Sequence, residues 1–266
     1  MKTIKILNWI LGVLGAFIVI ALVIVILPWK NHETDNAANA DAGKAEATAM
    51  SEEALQTAPA VPETASLQNA VPGDCVIFGH YEQDNDAANG PEEIKWLVLE
   101  RRDDQLLLLS LYGLDCQAYH DKTRFVYWSN CVLRPWLSET FLQTAFTEEE
   151  QEAILETTVT ADENPMYHTP AGSAVEEKVF LLSLAEADRY FSSNAERLCL
   201  PTEYARAQGV YVKSGFVACW WWLRSPGRYG DHAACVGNLG DFYYVGLGVK
   251  AGDVAIRPAI WIKTGT

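Results

Sequence analysis

The side chains with the widest range of chemistry lie between Arg228 and Val245, near the C-terminal end of the chain. Glycines there alternate with charged, imidazole and aromatic residues, namely Arg228, Tyr229, Asp231, His232, Asp241, Phe242, Tyr243 and Tyr244. Rigid aromatic rings supply contact area, and glycine lets a ligand approach the backbone closely. The segment therefore predicts a surface that binds a glycan, a peptide or another protein. The alternative is that Phe242 and Tyr244 are core strand residues and the rest is a surface turn.

Nothing in the residue spacing indicates a specific reaction. The five histidines are scattered, and none has the H-E-x-x-H spacing of a zinc site. Ser225 precedes a proline and lacks the G-x-S-x-G context of an activated serine. The stretch Asp84–Glu93 is rich in oxygen ligands but misses the spacing of a calcium loop, which favours a solvated acidic loop. We therefore expect no catalytic residue, no metal and no cofactor.

Six cysteines are compatible with disulfides outside the cytoplasm. None forms a C-x-x-C pair, which disfavours zinc and thioredoxin chemistry. We predict the pairs Cys116–Cys131 and Cys199–Cys219. Buried free thiols are the alternative, because cysteine is among the most buried residue types.

Arg224 and Arg257 each follow a hydrophobic strand segment. If they face inward they need partners, because an unpaired buried charge is very costly. A buried ion pair that holds strands in register is favoured over a role in substrate binding. The candidate partners are Asp74, Glu203 and Asp253.

The strand expected to support these groups is Cys219–Gly227, with the sequence CWWWLRSPG. Side chains alternate between the two faces of a strand, so Trp220 and Trp222 share one face while Trp221 and Leu223 share the other. Large apolar groups on both faces indicate a central strand. A second segment, IRPAIWI at Ile256–Ile262, contains Trp261 and repeats the aromatic pattern.

The remaining elements alternate in type along the chain. Apolar runs predict strands at residues 75–81, 94–101 and 105–111, joined as antiparallel hairpins by short turns. Helical spacing and capping residues predict helices at 133–145, 147–155, 184–191 and 201–209. Strands follow at 233–236, 241–246 and 254–263. Strands at both ends with helices between them predict an α+β fold whose terminal strands pair.

The N-terminal part of the chain predicts a membrane anchor. Ile10–Leu27 is an apolar run of 18 residues, preceded by Lys2 and Lys5. A helix of this length spans roughly 27 Å, close to the hydrocarbon thickness of a bilayer. A cleaved signal peptide is the alternative. The basic residues before the run predict that the N-terminus is cytoplasmic, so residues 1–30 form a cytoplasmic start and a plasma-membrane anchor. Residues 31–70 are predicted to be a disordered linker, and residues 71–266 a domain outside the cytoplasm.

The formal net charge of −15 disfavours nucleic acids and anionic membrane surfaces as partners. Nucleic acids and anionic membrane surfaces reward a basic patch, so we expect neither as a ligand of the domain.

The order of short motifs resembles an uncharacterised bacterial domain family found in extracytoplasmic, often anchored proteins. The most specific pair is WWLRSPG with a downstream RPA-x-W, and weaker matches cover nearly all of Val71–Ile262. The last strand is also similar to that of C-type-lectin-like folds, which include formylglycine-generating enzymes. That likeness implies that Cys75–Tyr81 lies beside Ile256–Ile262, and that long loops before the last strand form a ligand surface.

Three functions agree with these features. The first is a membrane-anchored binding module without chemistry. The second is a cell-envelope enzyme on a formylglycine-generating-enzyme-like fold, although Cys235 lacks the neighbouring cysteine that those enzymes use. The third is a structural envelope subunit, which predicts a flat apolar surface rather than a pocket.

Overall fold

The computed structural model describes residues 60–265, which form a mixed α+β domain made mostly of strands. The expected α+β class is therefore confirmed. The predicted anchor Ile10–Leu27 and most of the predicted linker lie outside the described residues. Within residues 60–265, no helix combines the length and the apolar character needed to cross a bilayer.

Twelve strands and five helices are described in chain order between residues 60 and 265. The strands are β1 (Cys75–Tyr81), β2 (Glu92–Arg102), β3 (Gln105–Ser110), β4 (Asp115–Cys116), β5 (Thr157–Val159), β6 (Val175–Glu177), β7 (Val179–Phe180), β8 (Trp221–Pro226), β9 (His232–Val236), β10 (Phe242–Gly248), β11 (Ala255–Ile256) and β12 (Ala259–Lys263). The helices are α1 (Leu133–Pro135, a π-helical segment Trp136–Phe141, and Leu142–Ala145), α2 (Glu148–Ala153), α3 (Leu184–Tyr190), α4 (Asn194–Arg197) and α5 (Glu203–Gln208), with a 3₁₀ turn at Trp128–Asn130.

Sheet one has the strand order β1-β2-β3-β12-β7. Its first three strands form the expected antiparallel meander, with Leu97 opposite Leu109 and Arg102 opposite Gln105. Asp103 has a φ of 49°, a left-handed conformation that aspartate tolerates in tight turns. Five of the six β3 residues are buried, so this strand requires a partner on each edge.

The predicted pairing of the terminal strands is wrong. β12 lies between β3 and β7, with Trp261 opposite Leu107, and two strands separate it from β1. The physical reason is that β3, with five of its six residues buried, needs a partner on its second edge, and β12, with four of its five residues buried, provides it. Within the described part of the chain, the other edge of β1 makes a single bridge, from Cys75 to Thr64. This result removes the pairing that the likeness to C-type-lectin-like folds implied.

Sheet two has the order β10-β9-β8-β11-β4. β8 is its middle strand, antiparallel to β9 and parallel to β11, and all six of its residues are buried. The central position expected for the tryptophan-rich strand is therefore confirmed. The indole N–H is the one polar group of a tryptophan side chain, and it needs a hydrogen-bond acceptor when buried. Trp221 donates to the carbonyl of Arg197, and Trp222 donates to the carbonyl of Gln117.

The predicted single strand 254–263 is two strands in different sheets. β11 belongs to sheet two and β12 to sheet one, and the chain crosses between them at Arg257-Pro258. Proline has no N–H group and cannot continue a ladder, so the strand is interrupted there. Ser110, the last residue of β3, donates its N–H to the carbonyl of Pro258 at 2.9 Å. The crossover is thus fixed to the end of β3.

Two capping boxes begin helices as predicted. Thr147 accepts from the N–H of Glu150 at 3.2 Å, and Ser183 accepts from the N–H of Glu186 at 3.1 Å. In each box the glutamate returns a bond to the backbone of the capping residue. These bonds satisfy N–H groups that the first helical turn leaves open.

Gly240 should be intolerant of any side chain. Its φ is 76°, and a β-carbon there would overlap the backbone carbonyl of Asn194. We expect Gly240→Ala to lower the free energy of unfolding by about 2–4 kcal/mol, because backbone strain and a steric clash add. Equilibrium urea unfolding measures the loss. Gly248→Ala is the matched control, since nothing lies within 4 Å of that position and its change should stay below about 1 kcal/mol.

Candidate functional site

The residues predicted to form the binding surface divide into two groups. Arg228 and Tyr229 are exposed, and the Asp231 carboxylate contacts His232 Nδ1 at 2.8 Å. The rings of Tyr229 and His232 meet edge to face at 5.2 Å. Phe242, Tyr243 and Tyr244 are half-buried in β10. These three rings pack partly against the core, which is close to the alternative interpretation that Phe242 and Tyr244 are core strand residues.

The β9–β10 hairpin separates these groups. His232 lies opposite Gly248, whereas Phe242 lies opposite Val236. His232 and Val236 are four residue steps apart along β9, which corresponds to roughly 13 Å. Asp241 therefore lies near the opposite end of the hairpin from Asp231 and His232. The His232 ring contacts the carboxylate of Asp231, and Asp241 lies apart from that pair.

Two aromatic side chains from a distant segment join the exposed group. The Phe125 ring packs on Gly230, where any β-carbon would clash with it. It also meets the Tyr127 ring edge to face, with 4.9 Å between the ring centroids. Phe125 is 53% exposed and Tyr229 is 41% exposed. We name Phe125, Tyr127 and Tyr229 the aromatic patch. No pattern in the sequence predicts this patch, because Phe125 lies about a hundred positions from Tyr229 in the chain.

Arg224 is buried in β8 and pairs with Glu186 of α3. Its Nη2 donates to the Glu186 carboxylate at 2.7 Å, and its Nε donates to the carbonyl of Thr160 at 2.9 Å. The partner is none of Asp74, Glu203 and Asp253. Glu186 already caps α3, so one carboxylate joins the start of that helix to the middle of sheet two.

The two predicted disulfides are absent. All six cysteines are buried free thiols. The Cys116 thiol donates to the carbonyl of Gly252 at 2.9 Å, and Cys131 is buried in the hydrophobic core. Cys199 and Cys219 are neighbours, and the Cys219 thiol donates to the Cys199 carbonyl at 3.3 Å. The alternative of buried thiols is the one that the structure shows.

A cavity of about 580 Å³, which the sequence did not predict, lies against sheet one. Aliphatic side chains line most of it, and its only lining residues with a formal charge in the described chain are Glu196 and Arg257. The lining includes Val61, Pro62, Leu97, Leu99, Leu111, Leu198 and Leu200. This volume falls in the usual range of small-molecule sites, which are concave, apolar and supplied with a few polar groups.

Arg257 is the polar group at the buried side of the cavity. It is 2% exposed, and its Nε donates to the carbonyl of Ser110 at 2.9 Å. Its guanidinium lies over the rings of Trp221 at 4.9 Å and Phe191 at 5.7 Å. Its Nη1 is buried and has no hydrogen-bond partner among residues 60–265. Burial lowers the pKa of Arg257, while the neighbouring Cys199 and Cys219 oppose that shift.

The thiols beside Arg257 respond to its charge in different ways. Burial alone would raise the pKa of Cys199, but a hydrogen bond with Cys219 and the charge of Arg257 outweigh it and lower that pKa. Burial and the same hydrogen bond raise the pKa of Cys219 well above its usual value. The cavity is therefore bordered by a cation whose field acts on the groups around it.

A cation has one set of candidate ligands among residues 60–265. Glu82, Asp84 and Glu92 place carboxylate oxygens within 4.8 Å of one another. Glu92 accepts from the backbone N–H groups of Gln83 and Asp84 at 2.6 and 3.2 Å. These bonds give Glu92 a structural use in holding the acidic loop.

Comparison with known proteins defines the family but no activity. No curated protein and no solved structure matches the chain. Residues 103–264, from the turn after β2 to the end of β12, match a family described as a domain of unknown function, so the chain belongs to the DUF6273 family.

Proposed function

We propose that this domain is a non-catalytic binding module and that its ligand occupies the cavity against sheet one. The observation that carries the proposal is the cavity itself, about 580 Å³ with a mainly aliphatic lining. Such a volume left open to solvent would expose apolar surface without compensation, whereas a bound apolar group would remove that surface from water.

The cavity chemistry favours binding over catalysis. Its titratable lining groups are Tyr112, Tyr190, Glu196 and Arg257. The Tyr190 hydroxyl is bonded to Glu100, and burial raises the pKa of Tyr190 further above neutrality. Glu196 accepts from the N–H of Ser192 at 2.8 Å. None of these contacts pairs a nucleophile with a general base, which acid–base or covalent catalysis requires.

Blocking the cavity provides the test. Ala195 lines the cavity, and Ala195→Trp places a bulky ring there. We expect wild-type protein in lipid nanodiscs to bind the neutral apolar dye N-phenyl-1-naphthylamine, and the variant to bind it at least about tenfold more weakly. Fluorescence titration, corrected with empty nanodiscs, measures both affinities.

Ala88→Trp is the matched control, because Ala88 is exposed in the acidic loop and does not line the cavity. It should bind the dye as the wild type does. Equal binding by Ala195→Trp and wild type, or no saturable binding by either protein, would contradict the proposal.

The aromatic patch supports a second candidate, recognition of a glycan, a peptide or a surface protein. Phe125 and Tyr229 are both exposed, and the Phe125 ring lies against Gly230, the residue that follows Tyr229. Exposed rings of this kind supply contact area at low entropic cost. Arrays of glycans and cell-wall fragments, probed with wild type and with Tyr229→Ala, should show binding that the variant loses. Binding retained by the variant would remove the patch from this role.

We also propose that the module is held at the outer face of the plasma membrane. Support comes from the 18-residue apolar run Ile10–Leu27 and the basic residues before it. Protease protection of spheroplasts tests the orientation: cleavage of the domain in intact spheroplasts is expected, and cleavage only after lysis would reverse it. The likeness to C-type-lectin-like folds adds no support, since β1 and β12 are not neighbours.

A further inference from the structure

We propose that the ligand of the cavity is an aliphatic chain that ends in a carboxylate, and that Arg257 binds the carboxylate. The inference rests on the proposed function and names the class of ligand. It starts from Nη1 of Arg257, a buried donor without a partner on a residue that lines the cavity.

The charge of Arg257 is incompletely balanced within the described chain. No carboxylate among residues 60–265 forms an ion pair with it, in contrast to Arg224, which Glu186 neutralises. The carbonyl of Ser110 and the faces of Trp221 and Phe191 orient the guanidinium and offset part of its desolvation. A buried cation of this kind is stabilised most by an anion that accepts a hydrogen bond from the unpartnered Nη1.

The number of charges favours a carboxylate over a phosphate. One guanidinium balances one negative charge, whereas a phosphate dianion would leave an extra charge in an apolar site. The only described carboxylate that lines the cavity is Glu196, which is exposed and held by Ser192. Glu196 repels an anion from its own position and so favours placement of the ligand carboxylate at Arg257.

The lining determines the rest of the ligand. Leucine, valine, proline and alanine side chains surround most of the cavity. A sugar carries hydroxyl groups around its whole ring, and the mainly aliphatic lining could pair only some of them, at a cost for each group left unsatisfied. A methylene chain has no such groups, and each buried CH₂ is favourable. The geometry therefore points to a medium-chain or long-chain fatty acid or a molecule with the same carboxyl-terminated chain.

Matched probes test the inference on the full chain in lipid nanodiscs. Decanoate, 1-decanol and methyl decanoate share the alkyl chain and differ in charge at one end. Isothermal titration calorimetry, with empty nanodiscs subtracted, should show decanoate binding roughly 10- to 100-fold more tightly than either neutral probe, the range expected for hydrogen bonds to charged groups. This comparison requires no variant.

Arg257→Gln and Arg257→Lys locate the effect. Glutamine removes the charge and should bring decanoate within about threefold of decanol, while lysine keeps the charge and should restore part of the preference. Circular dichroism checks that each variant is folded. If Arg257→Gln does not fold, the carboxyl ¹³C resonance of labelled decanoate, shifted on wild type by contact with a guanidinium, gives the same information.

The outcomes separate this inference from the proposed function. Equal affinities for decanoate and decanol on wild type would overturn the role of Arg257, leave the binding module in place, and indicate that a Cys199 thiolate already neutralises the cation. A preference that survives Arg257→Gln would also overturn it. No binding of any of the three probes, together with no dye binding, would remove both proposals.

Discussion

Replacement of Glu186 by glutamine should destabilise the domain by about 3 kcal/mol. Arg224 is 2% exposed and keeps its charge in this variant, while the carboxylate that balances it is gone. Breaking a buried pair by removal of one partner typically costs about 3–5 kcal/mol. The capping bond from the N–H of Ser183 can persist to the amide oxygen, so the loss reports mainly on the ion pair. Equilibrium urea unfolding measures it.

Two further variants make this experiment specific. Glu203→Gln is the matched control, because Glu203 pairs with Arg206 at an exposed position, 3.5 Å away, and should change stability by less than about 1 kcal/mol. In the double variant Arg224→Met with Glu186→Gln, the losses should not add, because neither residue leaves a buried charge behind. Additive losses would show that the two side chains act independently and would contradict the ion pair.

Truncation of Trp222 to alanine should cost about 3–5 kcal/mol, the range for removal of a large aromatic side chain from a core. Its ring is fully buried in the middle strand of sheet two, 5.6 Å from the Tyr119 ring, and its indole N–H donates to the carbonyl of Gln117 at 3.0 Å. The variant therefore loses packing and leaves a carbonyl without its donor. Circular dichroism should follow the unfolding, since the mutation itself changes tryptophan fluorescence.

Trp220→Ala is the control two residues away. Trp220 is half-buried, precedes β8, and contacts Tyr243 edge to face at 5.2 Å. We expect a loss of about 1–2 kcal/mol, because part of the ring is exposed in the native protein. Losses of equal size for Trp220 and Trp222 would mean that the packing around β8 differs from that described.

Local sequence patterns were sufficient to predict most elements of the fold. The Asp103 turn, the capping residues Thr147 and Ser183, and the apolar runs act over fewer than ten residues, so their physical meaning is readable from spacing. The pairing of β12 with β3 could not be predicted in this way. It depends on which of several apolar strands reaches the buried edge of β3, and that choice is made by the whole core.

The cavity escaped prediction for the same reason. Its lining comes from Val61, Leu97, Leu198 and Arg257, four segments separated by long stretches of chain. The sequence did indicate that Arg257 would need a partner if it faced inward. It could not indicate that the described chain leaves Nη1 without one. For Arg224, the sequence does show that Glu186 is held in place as a capping residue. That Glu186 lies beside Arg224 follows only from the folded structure.

The strand break at Pro258 has a consequence for biosynthesis. β12 is an interior strand of sheet one and β11 is an interior strand of sheet two, yet both come from residues 255–263. Neither sheet can close before this segment has left the ribosome. Strand pairs of such large sequence separation form slowly. The two sheets should therefore be completed together, when residues 255–263 insert between β3 and β7 in sheet one and between β8 and β4 in sheet two.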